Sequence, residues 1–414
     1  MRRSSPSSAG PKTSGMGLKD NEAQTDMARL RAYRLNRVRQ QLEAHDVAAC
    51  VLFDPINIRY ATGTRNMQLW TQHSPDRFLF IATGGPVVLF DREAFRARSA
   101  FFETVDEFRP WTPWYFESAA GRSAEFAKLW ANEVADLMSA HGGGNRRLAV
   151  DRIGPQGIAP LASHGIELHD AQEPLERARC IKSADEIACM NFAITACETG
   201  MARMGQALQP GITENQLWAL MHQANIEAGG EWMETRLLSS GGRTNPWYQE
   251  CSDKVIRAGE LVAFDSDLIG PFGYCADVSR TYFCGPGRPT DEQKRLYSLA
   301  YENVRYNMAL LKPGLTSREF AEKAWPLPEA FVAQRYGPVH GVGMADEYPD
   351  FFHLIDYDEV GYDAVVEENM TLCVESYIGA EGGTEGVKLE QQVLITADGA
   401  QLLSTFPFED ALLD

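Results

Sequence analysis

The sequence lacks the features of a secreted, membrane-spanning or nucleic-acid-binding protein. None of its eight cysteines shows the CxxC spacing of a zinc or redox motif, and a chain of 414 residues needs no disulfide to fold. No apolar run approaches the length of a membrane span, and no apolar segment follows Arg2-Arg3 as it would in an export signal. Basic residues are too few to balance the acidic ones, and the net charge of −18 disfavours nucleic acid and anionic membranes as partners. We therefore expect a cytoplasmic protein that acts on a small cationic or metal-bound molecule.

The length and the 44% content of hydrophobic residues predict two or three domains with well-developed cores. Residues 1–27 are rich in Ser, Gly, Pro and Lys and predict a flexible arm. Residues 28–180 combine an amphipathic helix with short apolar strands, as in an α/β domain. The patterns change near Cys180, so that residues 181–414 are predicted to form the second domain.

A weak internal repeat marks this second region. The segments Leu208–Leu217 and Leu311–Phe320 both contain a helix end, a Pro-Gly stop and a threonine in position to begin a new helix. The repeat predicts two similar halves. A site between such halves is a natural place for a ligand.

The segment Leu261–Phe283 organises the second region. It predicts a β-hairpin with a turn at Gly270–Gly273, in which Asp265 and Asp267 share one face and Asp277 returns beside them. Carboxylates grouped on an apolar sheet repel one another unless protons or cations neutralise them. Hard divalent cations are the usual partners of such oxygen ligands. The hairpin therefore predicts a metal site.

Three later residues extend this acidic group. His340 lies in the glycine-lined segment Gly337–Gly343, where the backbone can approach a ligand closely. Glu375 and Glu390 lie in two apolar strand segments of the same domain. Each residue alone is usually structural or exposed to solvent, but the group of Asp, His and Glu residues on β segments favours metal binding.

These motifs resemble the superfamily of pita-bread metallopeptidases and creatinases over almost the whole chain. The resemblance is carried by IKSADEI, GYCADVSRTYF, HGVGM and the two late glutamates, and by DPINIRYATG in the first domain. It implies an α+β fold, in which a creatinase-type α/β domain precedes a pseudo-symmetric pita-bread domain with a curved antiparallel sheet. It also implies two divalent cations, with iron as the first expectation and manganese, cobalt or zinc as alternatives. The resemblance carries Asp277, His340, Glu375 and Glu390 over as ligands, and the hairpin pattern adds Asp265 and Asp267 to the predicted set.

The sequence departs from the peptidase pattern at three places. The peptidases have the first ligand Asp eleven residues before the second, whereas Asp265 and Asp267 precede Asp277 by twelve and ten residues. Trp247 stands where the peptidases have a histidine, and Asp346-Glu347 stand where they have another. This pattern resembles the DddP-type branch of the superfamily, which cleaves dimethylsulfoniopropionate.

The resemblance implies a β-elimination that releases dimethyl sulfide and leaves acrylate. Asp346 is predicted to be the general base, with Glu347 next in line, and Trp247 and Tyr336 are predicted to bind the sulfonium through their aromatic faces. Two alternatives remain open, a Xaa-Pro dipeptidase or aminopeptidase and a non-catalytic binding module. The resemblance and the aromatic loops also predict a homodimer, in which Trp70, Trp111 or Trp114 completes the cation pocket of the other subunit.

Overall fold

The computed structural model describes residues 25–413. The arm predicted at residues 1–27 lies outside the described residues, apart from its last three positions. Contacts divide the chain into two compact units, and the boundary between them in the sequence lies between Ser183 and Ala184. No helix within residues 25–413 is long and apolar enough to cross a membrane.

The first unit is built on one mixed six-stranded sheet with the strand order β4-β3-β2-β1-β5-β6. Strands β1, β2 and β3 pair antiparallel, while β4, β5 and β6 join the sheet by parallel pairs. The elements are α1 (Met27–Ala44), β1 (Ala49–Leu52), α2 (Pro55–Thr62), α3 (Gln68–His73), β2 (Phe78–Ala82), β3 (Val87–Asp91), α4 (Arg96–Ser99), β4 (Glu107–Pro110), α5 (Phe116–Ala119), α6 (Ser123–His141), β5 (Arg147–Val150), α7 (Pro155–Ser163), β6 (Glu167–Asp170) and α8 (Gln172–Cys180).

The apolar runs predicted as strands form the centre of this sheet, and every residue of β1, β2 and β3 is buried. Helix α6 covers the sheet through Trp130, which packs with Phe53 and Phe78. Helix α2 begins where Asp54 accepts hydrogen bonds from the backbone amides of Ile56 and Asn57. The α/β character predicted for this region is confirmed.

The second unit contains three antiparallel sheets with the orders β11-β10-β7, β12-β9-β8 and β14-β13-β15-β16-β17. Its elements are α9 (Ala184–Ala207), α10 (Glu214–Glu227), β7 (Trp232–Met233), β8 (Leu238–Ser240), β9 (Leu261–Phe264), β10 (Leu268–Ile269), β11 (Cys275–Ala276), β12 (Arg280–Phe283), α11 (Asp291–Leu310), α12 (Ser317–Lys323), α13 (Glu329–Val332), β13 (Val339–Val342), β14 (Asp346–Phe351), α14 (Leu354–Val360), β15 (Thr371–Ile378), β16 (Val387–Thr396), β17 (Gly399–Leu402) and α15 (Asp410–Leu413).

The two repeated segments have the same local structure. Thr213 caps α10 and Thr316 caps α12, each by accepting a hydrogen bond from the backbone amide three residues later. Gln216 and Glu319 complete the two capping boxes by bonding back to the threonine amides. The helix starts predicted from the repeat are therefore confirmed.

The prediction of one continuous hairpin at Leu261–Phe283 is wrong, because the strand pairing is interrupted within the segment. Strand β9 pairs with β12, and β10 pairs with β11, but the chain leaves the ladder between the two pairs. Asp267 has a φ of 34°, which a regular strand does not allow. The hydroxyl of Ser266 bridges the break by donating to the Ala276 carbonyl and accepting from the Val278 amide. Donor atoms of Asp265, Asp267 and Asp277 lie within 4.8 Å of one another across this break.

Candidate metal centre

Two of the antiparallel sheets meet where the carboxylates gather. The backbone amide of Glu390 donates to the carbonyl of Ser279 at 3.2 Å, and Thr281 and Lys388 exchange two hydrogen bonds. These bonds hold β16 against the return strand of the broken hairpin. The arrangement brings Asp265, Asp267 and Asp277 next to the five-stranded sheet.

That sheet contributes the other three predicted residues. Glu375 and Glu390 lie directly opposite each other in the ladder between β15 and β16. His340 lies on β13 opposite Cys373. A bulge in the pairing of β13 with β14 follows His340. Gly341 lies at this bulge, where an added Cβ would be 2.5 Å from the Tyr348 carbonyl oxygen, so that no larger residue fits.

All six residues predicted as ligands lie in one buried cluster. The Nε2 atom of His340 is 3.4 Å from Glu375 and 3.5 Å from both Asp277 and Glu390. Three groups of side chains have donor atoms within 4.8 Å of one another. We call them the aspartate position (Asp265, Asp267, Asp277), the histidine position (Asp277, His340, Cys373, Glu390) and the lysine position (Asp265, Glu375, Glu390).

Lys388 fills the lysine position. Its Nζ atom is 2.7 Å from carboxylate oxygens of Asp265 and Glu375 and 3.1 Å from Glu390, and the side chain is fully buried. It also contacts the hydroxyl of Ser279, which bridges Asp265 and Glu390. The ammonium group is thus a built-in cation of the cluster.

Burial and mutual repulsion shape the electrostatics of the cluster. Burial raises the pKa values of Asp265, Asp267 and Asp277, and neighbouring carboxylates raise those of Asp267 and Asp277 further. Burial also raises the pKa of Glu375, to about 8. For Glu390 burial is outweighed by Lys388 and His340, which hold its pKa well below the usual range. Most of these carboxylates therefore need further positive charge before they ionise together.

A pair of divalent cations fits this arrangement. When ionised, the five carboxylates and the one ammonium group leave a formal charge of minus four, which two divalent cations balance. The aspartate and histidine positions share Asp277, as expected for a bridging ligand. The buried oxygens Asp277 Oδ1 and Glu390 Oε1 make no hydrogen bond within the described residues, and unsatisfied buried acceptors of this kind are suited to coordinate metal.

Asp346 and Glu347 differ in their surroundings. Asp346 begins β14, and its carboxylate lies 3.9 Å from His340 with 59% of the side chain exposed. Desolvation beside the carboxylate cluster raises the pKa of Asp346 to about 6, and the nearby His340 counteracts part of this rise. Glu347 is buried and accepts a hydrogen bond from the backbone amide of Met344. Glu347 thus caps the turn, whereas Asp346 reaches the edge of the cluster.

An aromatic wall lies beside the lysine position. The Lys388 Nζ atom is 4.8 Å from the ring centre of Tyr336 and 5.9 Å from that of Trp247. Trp247 is 5% exposed and packs against Tyr377, while Tyr336 packs against the exposed ring of Tyr248. Trp247 and Tyr336, which are predicted to bind a cation, therefore both lie near the ammonium group of Lys388.

The three tryptophans proposed for the dimer pocket have different environments in the first unit. Trp114 is 2% exposed and stacks on Tyr115 within the core. Trp111 is partly buried against the same core, and Trp70 is 36% exposed with Arg92 above its ring. The role suggested for Trp114 is wrong, because its ring is needed to fill the core. Trp70 is the most accessible of the three.

Comparison with known proteins places the chain in a family. Residues 188–397 match the model of metallopeptidase family M24, and residues 34–181 match that of the creatinase/prolidase N-terminal domain. The dimethylsulfoniopropionate lyase DddP of Roseovarius nubinhibens is 42% identical over 94% of this chain and 88% of that protein. The DddP of Roseobacter denitrificans is 39% identical with the same coverage. The chain belongs to family M24, in its DddP group.

Solved structures of dipeptidases share the fold. The Xaa-Pro dipeptidase of Bacillus anthracis superposes with a TM-score of 0.73 and 20% identity over 92% of this chain and 99% of that one. The dipeptidase PepE of Mycobacterium ulcerans gives a TM-score of 0.73 and 23% identity over 92% and 97% of the two chains. The predicted fold, with its creatinase-type first domain and pita-bread second domain, is confirmed.

Lys388 and Cys373 lie within the cluster but were not predicted from the sequence. Lys388 lies two residues before Glu390 on the same face of β16, and Cys373 lies two residues before Glu375 on β15. The period-2 alternation of a strand would have placed both next to a predicted ligand. The signal is weak in both cases, because a lysine is not a usual metal ligand and Cys373 lies outside any CxxC motif.

Proposed function

We propose that this protein cleaves dimethylsulfoniopropionate to dimethyl sulfide and acrylate as a metal-dependent lyase. The observation that carries the proposal is the similarity to two DddP lyases along almost the full length of the chain. The structure supports the proposal, because Asp346, an accessible carboxylate able to act as a base, lies 3.9 Å from the proposed metal ligand His340.

Asp265, Asp267, Asp277, His340, Glu375 and Glu390 are proposed to hold two divalent cations, with iron as the first expectation for their identity. When bound, the cations would attract the substrate carboxylate and stabilise the negative charge that develops beside it. Lys388 would balance the charge of the remaining carboxylate oxygens and keep Asp265, Glu375 and Glu390 in place.

Asp346 is proposed to remove a proton from the carbon next to the substrate carboxylate. The electron pair of that C–H bond forms the double bond of acrylate, the C–S bond breaks, and dimethyl sulfide leaves with the electrons of that bond. Asp346 must be ionised to accept the proton, and a pKa near 6 is compatible with this at neutral pH. Its carboxylate is open to solvent, so that the proton can leave after each turnover.

Tyr336 and Trp247 are proposed to bind the dimethylsulfonium group. A sulfonium offers no hydrogen to donate, so aromatic faces and negative charge are its natural partners. The exposed ring of Tyr248 extends the same wall toward solvent.

The assembly and the location are also proposals. We infer a homodimer, supported by exposed apolar residues of the first unit that include Phe101 and Phe116. Trp70 is the proposed contributor to the cation pocket of the partner subunit. The eight cysteines are all buried, and a chain of this size needs no disulfide, which supports a reducing compartment such as the cytoplasm.

A Xaa-Pro dipeptidase is the second candidate, favoured by the M24 match and by the fold shared with prolidases. The two functions are separated by presenting the metal-loaded protein with dimethylsulfoniopropionate and, in parallel, with Xaa-Pro dipeptides. We expect dimethyl sulfide in the headspace and an equal amount of acrylate, with no release of proline. Proline release without dimethyl sulfide would instead establish the peptidase.

A further inference from the structure

We propose that Cys373 is a sulfur ligand of the histidine position, so that this position selects thiophilic cations while the aspartate position selects hard ones. This inference deepens the proposed function, because it rests on the proposed metal centre. It adds a ligand that neither the acidic motif nor the family resemblance supplies.

The register of the sheet brings Cys373 to the centre. Cys373 is the direct partner of His340 in the ladder between β13 and β15. Side chains of such partners lie on the same face, with Cβ atoms roughly 4.5–5.5 Å apart. Glu375, two residues further along β15, lies on that face as well. The thiol is therefore between two predicted ligands and completely buried.

The donor atoms around this thiol are ready for a cation. The Cys373 sulfur lies within 4.8 Å of donor atoms of Asp277, His340 and Glu390. Asp277 Oδ1 and Glu390 Oε1 are buried and lack hydrogen bonds among the described residues. The Cys373 thiol donates to the backbone carbonyl of Asp277 at 3.7 Å, which is a weak hydrogen bond. A cation at this place would gain one nitrogen, one sulfur and two oxygen donors from these side chains, and Glu375, 3.4 Å from His340, offers a further oxygen.

The other two positions have a different chemistry. The aspartate position offers only carboxylate oxygens, which suit magnesium, manganese and similar hard ions. The lysine position already holds the ammonium group of Lys388. A set of one histidine, one thiol and two carboxylates suits zinc, cobalt, cadmium and iron(II), and a thiol that coordinates such an ion gives up its proton. The two proposed cation positions are thus unequal although they share Asp277.

Cobalt(II) tests this assignment directly, because a sulfur ligand gives cobalt an intense near-ultraviolet charge-transfer band. The metal-free full-length protein is titrated with cobalt, and its visible and near-ultraviolet spectra are recorded together with the bound cobalt. We expect the charge-transfer band in the wild type and its loss in Cys373→Ser, which still binds cobalt. Cys275→Ser is the matched control, because Cys275 is equally buried and lies two residues before Asp277, but is outside the three donor groups.

The outcomes separate the two proposals. Visible cobalt bands without a charge-transfer band in the wild type, or a band that persists in Cys373→Ser, would overturn the role of Cys373 and leave the metal centre intact. Failure of the wild type to bind any cobalt would overturn both. If Cys373→Ser does not fold, cadmium added to the wild type decides instead, since a cadmium–sulfur charge-transfer band is expected only if a thiol coordinates.

Discussion

Lys388 is the residue whose replacement perturbs the proposed centre most selectively. Its ammonium group is fully buried and lies 2.7 Å from both Asp265 and Glu375. Removing one partner of a buried ion pair costs about 3–5 kcal/mol, because the remaining charge is left without compensation. We therefore expect Lys388→Met, which keeps much of the side-chain volume, to lower the unfolding free energy of the metal-free protein by about 3–5 kcal/mol.

The loss of unfolding free energy in Lys388→Met should increase with pH. Burial raises the pKa of Glu375 to about 8 even with Lys388 present. A carboxylate with a raised pKa in the folded state favours folding below its unfolded pKa, and this contribution is lost as the pH rises toward the folded value. Without Lys388 the pKa of Glu375 rises further. The difference between the variant and the wild type should thus be larger at about pH 8 than at about pH 6.

Urea unfolding of chelator-treated protein measures this effect. Lys312→Met is the control, since Lys312 is an exposed lysine of the same unit. Divalent metal should restore more stability to Lys388→Met than to the wild type, because bound cations replace part of the missing charge. A loss below about 1 kcal/mol, the size of an ordinary surface effect, or a loss that grows at low pH would refute the reasoning.

Three further predictions concern ligands, substrate and assembly. Asp277→Ala should lose both metal and lyase activity, because Asp277 is shared by two positions; full metal occupancy by elemental analysis would contradict its assignment. Tyr336→Leu should raise KM by about 2- to 30-fold, the range of a cation–aromatic contact, whereas Tyr336→Phe, which keeps the ring, should not. Light scattering should give the mass of a dimer, and a monomer that stays active at low nanomolar concentration would exclude a shared pocket.

The sequence allowed the fold and the members of the acidic cluster to be predicted because local signals agree with the family resemblance. Thr213 and Thr316 are each followed three residues later by a side chain that completes a capping box, so the helix starts are encoded locally. The apolar runs of β1 and β2 likewise fix the first sheet. These features depend on neighbouring residues and need no knowledge of distant contacts.

Features that depend on distant contacts were missed. The break at Asp267 arises where two short strand pairs meet, and alternation alone predicts a regular hairpin. One of the three carboxylates that surround Lys388 is Asp265, which lies 123 residues away in the sequence. The tight turn after β13 gives the capping role to Glu347 and leaves Asp346 accessible, although the two residues are adjacent and both acidic.

Asp346→Asn provides the most direct test of the central claim. Asparagine keeps the shape of the side chain but cannot accept the substrate proton, so turnover should fall by about 10²–10⁴-fold while the metal content stays unchanged. Asp358→Asn is the control, because Asp358 is an acid of the same unit with 91% of its side chain exposed. The measurement is dimethyl sulfide and acrylate released from dimethylsulfoniopropionate by the metal-loaded proteins. The account predicts that the wild type and Asp358→Asn release dimethyl sulfide and acrylate in equal amounts, and that Asp346→Asn releases almost none. Undiminished turnover in Asp346→Asn, or no dimethyl sulfide from a fully metal-loaded wild type, would contradict it.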